Sequence, residues 1–185
     1  MIDDVMLSTE EKMEKALEAA KGELAAIRTG RANPSMFNSI LVDYYGAPTP
    51  LQQLASLTIP EARTVIVSPF DRSAMKAITT AIRESDLGVN PTDDGTVIRV
   101  TLPALTEERR KDYVKLARSR AEEARVQVRG VRGKAKKELE AIKRDGEAGE
   151  DDVKRAEGEL DHLTKRFVDA IDKSLASKES ELLSV

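Results

Sequence analysis

From residue 8 onward, apolar side chains recur every three or four positions, at Met13, Ala16, Ala20, Leu24 and Ile27. That spacing predicts an amphipathic helix over 8–29. Ser8 or Thr9 would cap it, and Glu10 and Glu11 would suit its positive end. Gly30 would end it, with Pro34 just beyond. After that the period changes. Pro and Gly become frequent, and short β-rich runs follow at 40–45, 54–59, 64–67 and 96–102. Between them, 73–85 reads as one short helix with Ala74, Ala77, Ile78, Ala81 and Ile82 on its apolar stripe. From Thr106 the helical period returns. Val114, Ala117, Ala121, Ala124, Val128, Val131, Ala135, Leu139 and Ile142 follow one another at steps of three and four, a coiled-coil-like seam. An acidic turn at 146–152 then leads into a last helix, with Val153, Ala156, Leu160, Leu163, Phe167, Ala170 or Ile171, Leu175 and Leu182 on its inner face.

These elements predict an α+β chain. The first helix and the two long ones, residues 1–30 and 105–185, form an elongated antiparallel three-helix bundle, and residues 31–104 form a small β/α/β domain inserted into it. The chain crosses between them twice, so a two-strand hinge is expected at Gly30 and Arg31 and at Pro103, Ala104 and Leu105. Tyr44, Tyr45 and Phe70 are expected to serve as core and edge packing of the inserted domain rather than as a docking face.

Composition removes most chemistry. The chain has 185 residues, no cysteine and a single histidine, His162. Thiol nucleophiles, disulfides and Cys-based metal centres are excluded, and a Ser–His–Asp triad would hang on one residue. On the outer side of a helical stripe, that histidine reads as solvated surface. The acidic turn lacks the spacing of a calcium loop. Neither a P-loop nor a Rossmann glycine pattern is present. No catalytic residue, metal or cofactor is expected. Without a long apolar run or a targeting pattern in the opening MIDD, a cytoplasmic protein with no membrane contact is expected.

Charge changes the picture. The net charge of −3 hides a segment, 105–144, with 14 basic and 7 acidic side chains, while 145–185 carries 6 and 12. With Val114, Ala121 and Val128 at heptad position a, position e holds Lys111, Arg118, Arg125, Arg132 and Leu139. Position b holds Lys115, Glu122, Arg129, Lys136 and Lys143. Residues at b and e lie three or four apart and share a face. All but Glu122 and Leu139 are basic, which gives a positive ridge of about 48 Å by the helix rise. No aromatic interleaves it, so the expectation is a binder of RNA phosphate and shape rather than a reader of bases. The competing readings are a basic helix paired with an acidic neighbour in the same bundle, and a coiled-coil structural or chaperone-like protein that binds an acidic partner. Gly130-Val131-Arg132-Gly133 spells the GxxG of a KH loop but lies inside the unbroken heptads, where each glycine costs about 1 kcal/mol relative to alanine.

Several segments are more specific. Ile27-Arg28-Thr29-Gly30-Arg31-Ala32-Asn33-Pro34, Tyr44-Tyr45-Gly46 and Ser85-Asp86-Leu87-Gly88-Val89-Asn90-Pro91 closely resemble the ribosome recycling factor family. Further matches are Asp94-Gly95 followed by Ile98-Arg99, then Leu105-Thr106-Glu107-Glu108-Arg109-Arg110-Lys111, and Lys178-Glu179 with Glu181-Leu182. The matches are collinear along essentially the whole chain. One departure is that the family usually carries Asn and Arg where this chain has Gly130 and Gly133. The resemblance implies an L-shaped, monomeric, non-enzymatic translation factor. Such a factor binds large-subunit ribosomal RNA through the bundle and splits post-termination ribosomes with the GTPase elongation factor G. By position it implies Arg129 and Arg132 as RNA contacts, with Arg28 and Arg31 as further candidates. Lys111, Lys115, Arg118 and Arg125 join them on the charge argument alone.

Overall fold

The computed structural model describes residues 1–184, which divide into two compact units: residues 1–28 with 107–184, and residues 29–106. The first is a bundle of three helices, α1 (Ile2–Ala25), α4 (Glu107–Arg144) and α5 (Glu150–Leu183). Ion pairs fix their directions. Arg118 meets Glu179 and Lys143 meets Glu150, so α4 and α5 run antiparallel. Glu23 meets Arg120 and Glu10 meets Arg166, so α1 opposes α4 and runs parallel to α5.

The predicted start of α1 is wrong by six residues. Ser8 and Thr9 are interior, and the Thr9 hydroxyl donates to the Val5 carbonyl at 2.6 Å instead of capping. Ile2, Val5 and Met6 pack on the bundle core and draw the helix outward, and Asp3 and Asp4 sit in its positive first turn. At the other end the helix stops at Ala25, before Gly30, which stands in the connecting segment at φ 78°. The long helices fall where the heptads put them. Their seam is built from small and large residues in alternation: Ala121, Ala124, Val128, Ala135 and Leu139 meet Leu160, Phe167 and Ile171. The alanines let the helices approach, and each buried large side chain contributes about 1.5–3 kcal/mol.

The second unit holds a β-hairpin, β1 (Leu41–Tyr44) with β2 (Ala47–Pro50), and a one-turn helix α2 (Leu51–Leu54). It also holds an antiparallel sheet of β3 (Ala55–Glu61), β4 (Thr64–Pro69), β5 (Thr92–Asp93) and β6 (Ile98–Thr101), in the order β3-β4-β6-β5. Helix α3 (Met75–Arg83) lies across β1. Phe37, Leu51, Val65, Val67, Ile78, Ile82, Ile98 and Val100 fill its core. Tyr45 and Gly46 turn the hairpin with φ of 51° and 82°, the two positive values a type I′ turn requires. Both chain crossings are tied to the β3–β4 turn: the Ala32 N–H donates to the Ala62 carbonyl at 2.6 Å, and the Leu102 N–H to the Arg63 carbonyl at 2.7 Å. No helix among the described residues is long and apolar enough to cross a membrane.

Candidate nucleic-acid interface

Helix α4 runs unbroken through Gly130 and Gly133, so a KH-type loop is ruled out there. Its heptads bury Ala117, Ala121, Ala124, Val128, Ala135, Leu139 and Ile142, and this fixes where each basic row points.

The two rows of the ridge do not share one environment. Position e flanks α5 and meets its acidic residues. The Arg118 Nε lies 2.7 Å from Glu179, and the Arg125 Nε lies 2.7 Å from Asp172, with an Arg125 terminal nitrogen 2.7 Å from Glu122. Arg132 places Nε and a terminal nitrogen on one oxygen of Asp161, at 2.9 and 2.7 Å. Arg125 is the most enclosed, with its side chain 17% exposed, and the Asp172 hydrogen bond raises its pKa further above the ordinary guanidinium value. Asp161 is thereby engaged by Arg132, and the neighbouring His162 is exposed.

Position b points outward. Lys115 and Lys136 are exposed and make no ion pair among the described residues, and Arg129 reaches Glu122 only at 3.8 Å. At the ends of the ridge, Lys111 pairs with Glu107 at 3.6 Å and Lys143 with Glu150 at 3.2 Å. The expectation of one uniformly outward ridge therefore needs correction: its e side is shared with α5. Two exposed lysines outside both rows, Lys134 and Lys137, are also without an ion pair among the described residues. They lie outside the b/e ridge because they stand at positions g and c of the same heptads.

This arrangement suits an exchange of partners. Asp161 is open to solvent, and exposed Arg–carboxylate pairs contribute about 0–1 kcal/mol, so a phosphate can replace it on Arg132 at little cost. Meanwhile the carboxylates of α5 hold the Arg118, Arg125 and Arg132 side chains across the α4–α5 seam. Lys115 and Lys136, without an ion pair among the described residues, and Arg129, held by Glu122 only at 3.8 Å, offer immediate charge.

Near the crossings, Arg28 and Arg31 are exposed and both are engaged in interactions within the chain. Pro103 and Ala104 are exposed and Leu105 is half-buried. The aromatic expectation fails for two of its three residues. Tyr45 is 82% exposed and Phe70 70%. Only Tyr44 is half-buried against the core, with its hydroxyl donating to Asp71 at 2.9 Å. The tight turn throws Tyr45 outward, where its ring stands edge-on to Tyr44 at 4.6 Å.

The family model described as ribosome recycling factor matches residues 20–183. The chain belongs to the ribosome recycling factor family. The ribosome-recycling factors of Kineococcus radiotolerans and Beutenbergia cavernae are 66% and 65% identical to it, each over the full length of both chains. A solution structure of a ribosome recycling factor superposes with a TM-score of 0.78 at 43% identity, covering 100% of this chain and 98% of that one. A second neighbour is described as models for the T. thermophilus ribosome recycling factor and the E. coli elongation factor G bound to the E. coli post-termination complex. It matches with a TM-score of 0.66 at 42% identity, with both chains fully covered. The α+β class and the family read from the junction motifs both stand, and members of this family are non-enzymatic translation factors.

Proposed function

We propose that this protein splits post-termination ribosomes into subunits together with elongation factor G, anchoring its helical bundle on large-subunit ribosomal RNA. The observation that carries the anchor is the outward row of α4, where Lys115, Arg129 and Lys136 stand exposed within a helix segment rich in Lys and Arg. Arg118 and Arg132 add charge where phosphate displaces the carboxylates of α5, and Arg125 adds to the positive field while still held by Asp172 and Glu122. Arg28 and Arg31 extend the contact toward the crossings, and Lys111 extends it toward the start of α4. The segments around Gly30 and Arg31 and around Pro103, Ala104 and Leu105 act as a hinge. Hydrolysis of GTP on the partner moves residues 31–104, and the anchored bundle transmits the displacement to contacts between the subunits. The protein works as a cytoplasmic monomer. Support for the partner comes from the neighbour described together with elongation factor G on a post-termination complex.

The test is light scattering of purified post-termination ribosomes on addition of the protein, elongation factor G and GTP, with each omitted in turn. A fall in scattering that needs all three is expected. Ribosomes that stay intact while binding the protein would overturn the splitting role.

A further inference from the structure

We infer that the groove between α1 and α4 is a second phosphodiester site, one that holds a strand of RNA backbone on the flank of α4 away from α5. The inference rests on the RNA-anchoring reading above and assigns residues outside the ridge.

The groove encloses about 520 Å³ and is lined by Lys12 and Lys15 of α1 and by Gln127, Gly130, Lys134 and Glu138 of α4, over a floor of alanines. Lys12 and Lys15 stand three apart and share a face. Lys134 comes from the opposing helix. All three are exposed, and none makes an ion pair among the described residues. Lys115, Lys136, Lys137, Lys154 and Lys173 of the bundle are likewise without an ion pair among the described residues, so what sets the groove apart is that three such lysines converge on it from two helices. Three ammonium groups against the single carboxylate of Glu138 leave the groove net positive. An ammonium with free donors is a point charge suited to phosphate oxygens.

Gly130 is the second observation. A Cβ there would meet nothing within 4 Å, so packing does not require glycine. Glycine nevertheless weakens a helix interior, and here it removes a side chain from the groove wall and lets a backbone approach the helix. Protein partners anchor through large side chains in fitted pockets, whereas this groove offers alanine floors, lysine rims and no aromatic residue. A phosphodiester chain needs only charge and close approach.

The cysteine-free sequence makes the test direct. A photo-crosslinker on Gly130→Cys, with the protein bound to isolated large ribosomal subunits, is expected to label ribosomal RNA, and one on the exposed Lys173→Cys of α5 serves as comparison. In parallel, Lys12→Ala/Lys15→Ala/Lys134→Ala is titrated against large subunits over a range of salt, beside Arg129→Ala/Lys136→Ala, with thermal melts checking that both fold. For the groove variant, the slope of log affinity on log salt should become shallower by about 2 to 3, with affinity falling at least about tenfold. Unchanged affinity and slope there, with both lost in the Arg129/Lys136 variant, would overturn the groove while leaving the bundle anchor standing. If neither variant changes binding, the anchor fails and the groove with it. Crosslinks to ribosomal protein rather than RNA from Gly130→Cys would overturn the assignment of the occupant.

Discussion

Arg125 and Lys136 are both basic residues of α4, yet their surroundings assign them different work. Arg125 is held by Asp172 and Glu122 and is largely enclosed, so Arg125→Ala strands Asp172 and should lower stability by about 1 kcal/mol. Lys136 touches no carboxylate among the described residues, so Lys136→Ala should leave the melting temperature nearly unchanged and weaken large-subunit binding. Arg132 is intermediate. Reversal to Glu puts a carboxylate against Asp161, so Arg132→Glu should lose stability as well as binding, and Arg132→Gln is the cleaner probe of binding. Melts paired with binding titrations separate the three. Acid sensitivity also belongs to single residues. Hydrogen bonds from the Ser73 hydroxyl and backbone N–H, then from the Tyr44 hydroxyl, hold Asp71 below the ordinary carboxylate pKa. Backbone N–H groups of Val97 and Thr96 do the same for Asp94. Lowered folded pKa values mean that this stability is present above the ordinary carboxylate range and is lost as pH falls through the folded values. Thermal melts of Asp71→Ala should therefore fall less steeply than wild type on acidification. A parallel fall in both proteins would show that Asp71 is not a source of the acid limb.

At the scale of elements, periodicity was most informative where burial is one-sided and long. The seam of α4 is legible because Ala121, Val128 and Ala135 repeat through an uninterrupted helix, and its buried residues are the ones the heptads name. Short elements carry no such redundancy. Strand β2 contains Pro48 and Pro50 and pairs only with β1, so its residues resemble a loop. The start of α1 depends on Ile2, Val5 and Met6 meeting a core built largely by residues more than a hundred positions away. The ridge was half legible for the same reason. One helix's pattern reveals that b and e are basic, but only α5 determines that e is shared with carboxylates. Glycine in α4 gives a test at this scale. Gly133 has open space around its missing Cβ, so Gly133→Ala should raise stability by about 1 kcal/mol through helix propensity alone. Lower stability in that variant would mean that the residue serves packing after all.

For the whole molecule, the decisive feature is two cores joined by two short segments. Residues of the bundle core and of the sheet core form separate clusters. The joining segments leave the sheet unit from backbone bonds at Ala32 and Leu102. Under the proposed mechanism, large-subunit binding needs only the bundle, whereas splitting needs force to pass between the units, so stiffening a joint should separate the two activities. Gly30 is a poor place for this experiment. Its φ of 78° lies outside what proline can adopt, and a Gly30→Pro protein would be distorted locally before any motion was tested. Ala104 is better. It is exposed, and its N–H makes no backbone hydrogen bond among the described residues. Proline there would restrict both its own φ and the conformation of Pro103. Ala104→Pro should bind large subunits as wild type does and split post-termination ribosomes about tenfold more slowly, a barrier increase of about 1.4 kcal/mol. Equal loss of binding and splitting would place the defect in the fold of the connection and remove the hinge from the mechanism. Unchanged splitting would mean that the joint works without flexing at Ala104.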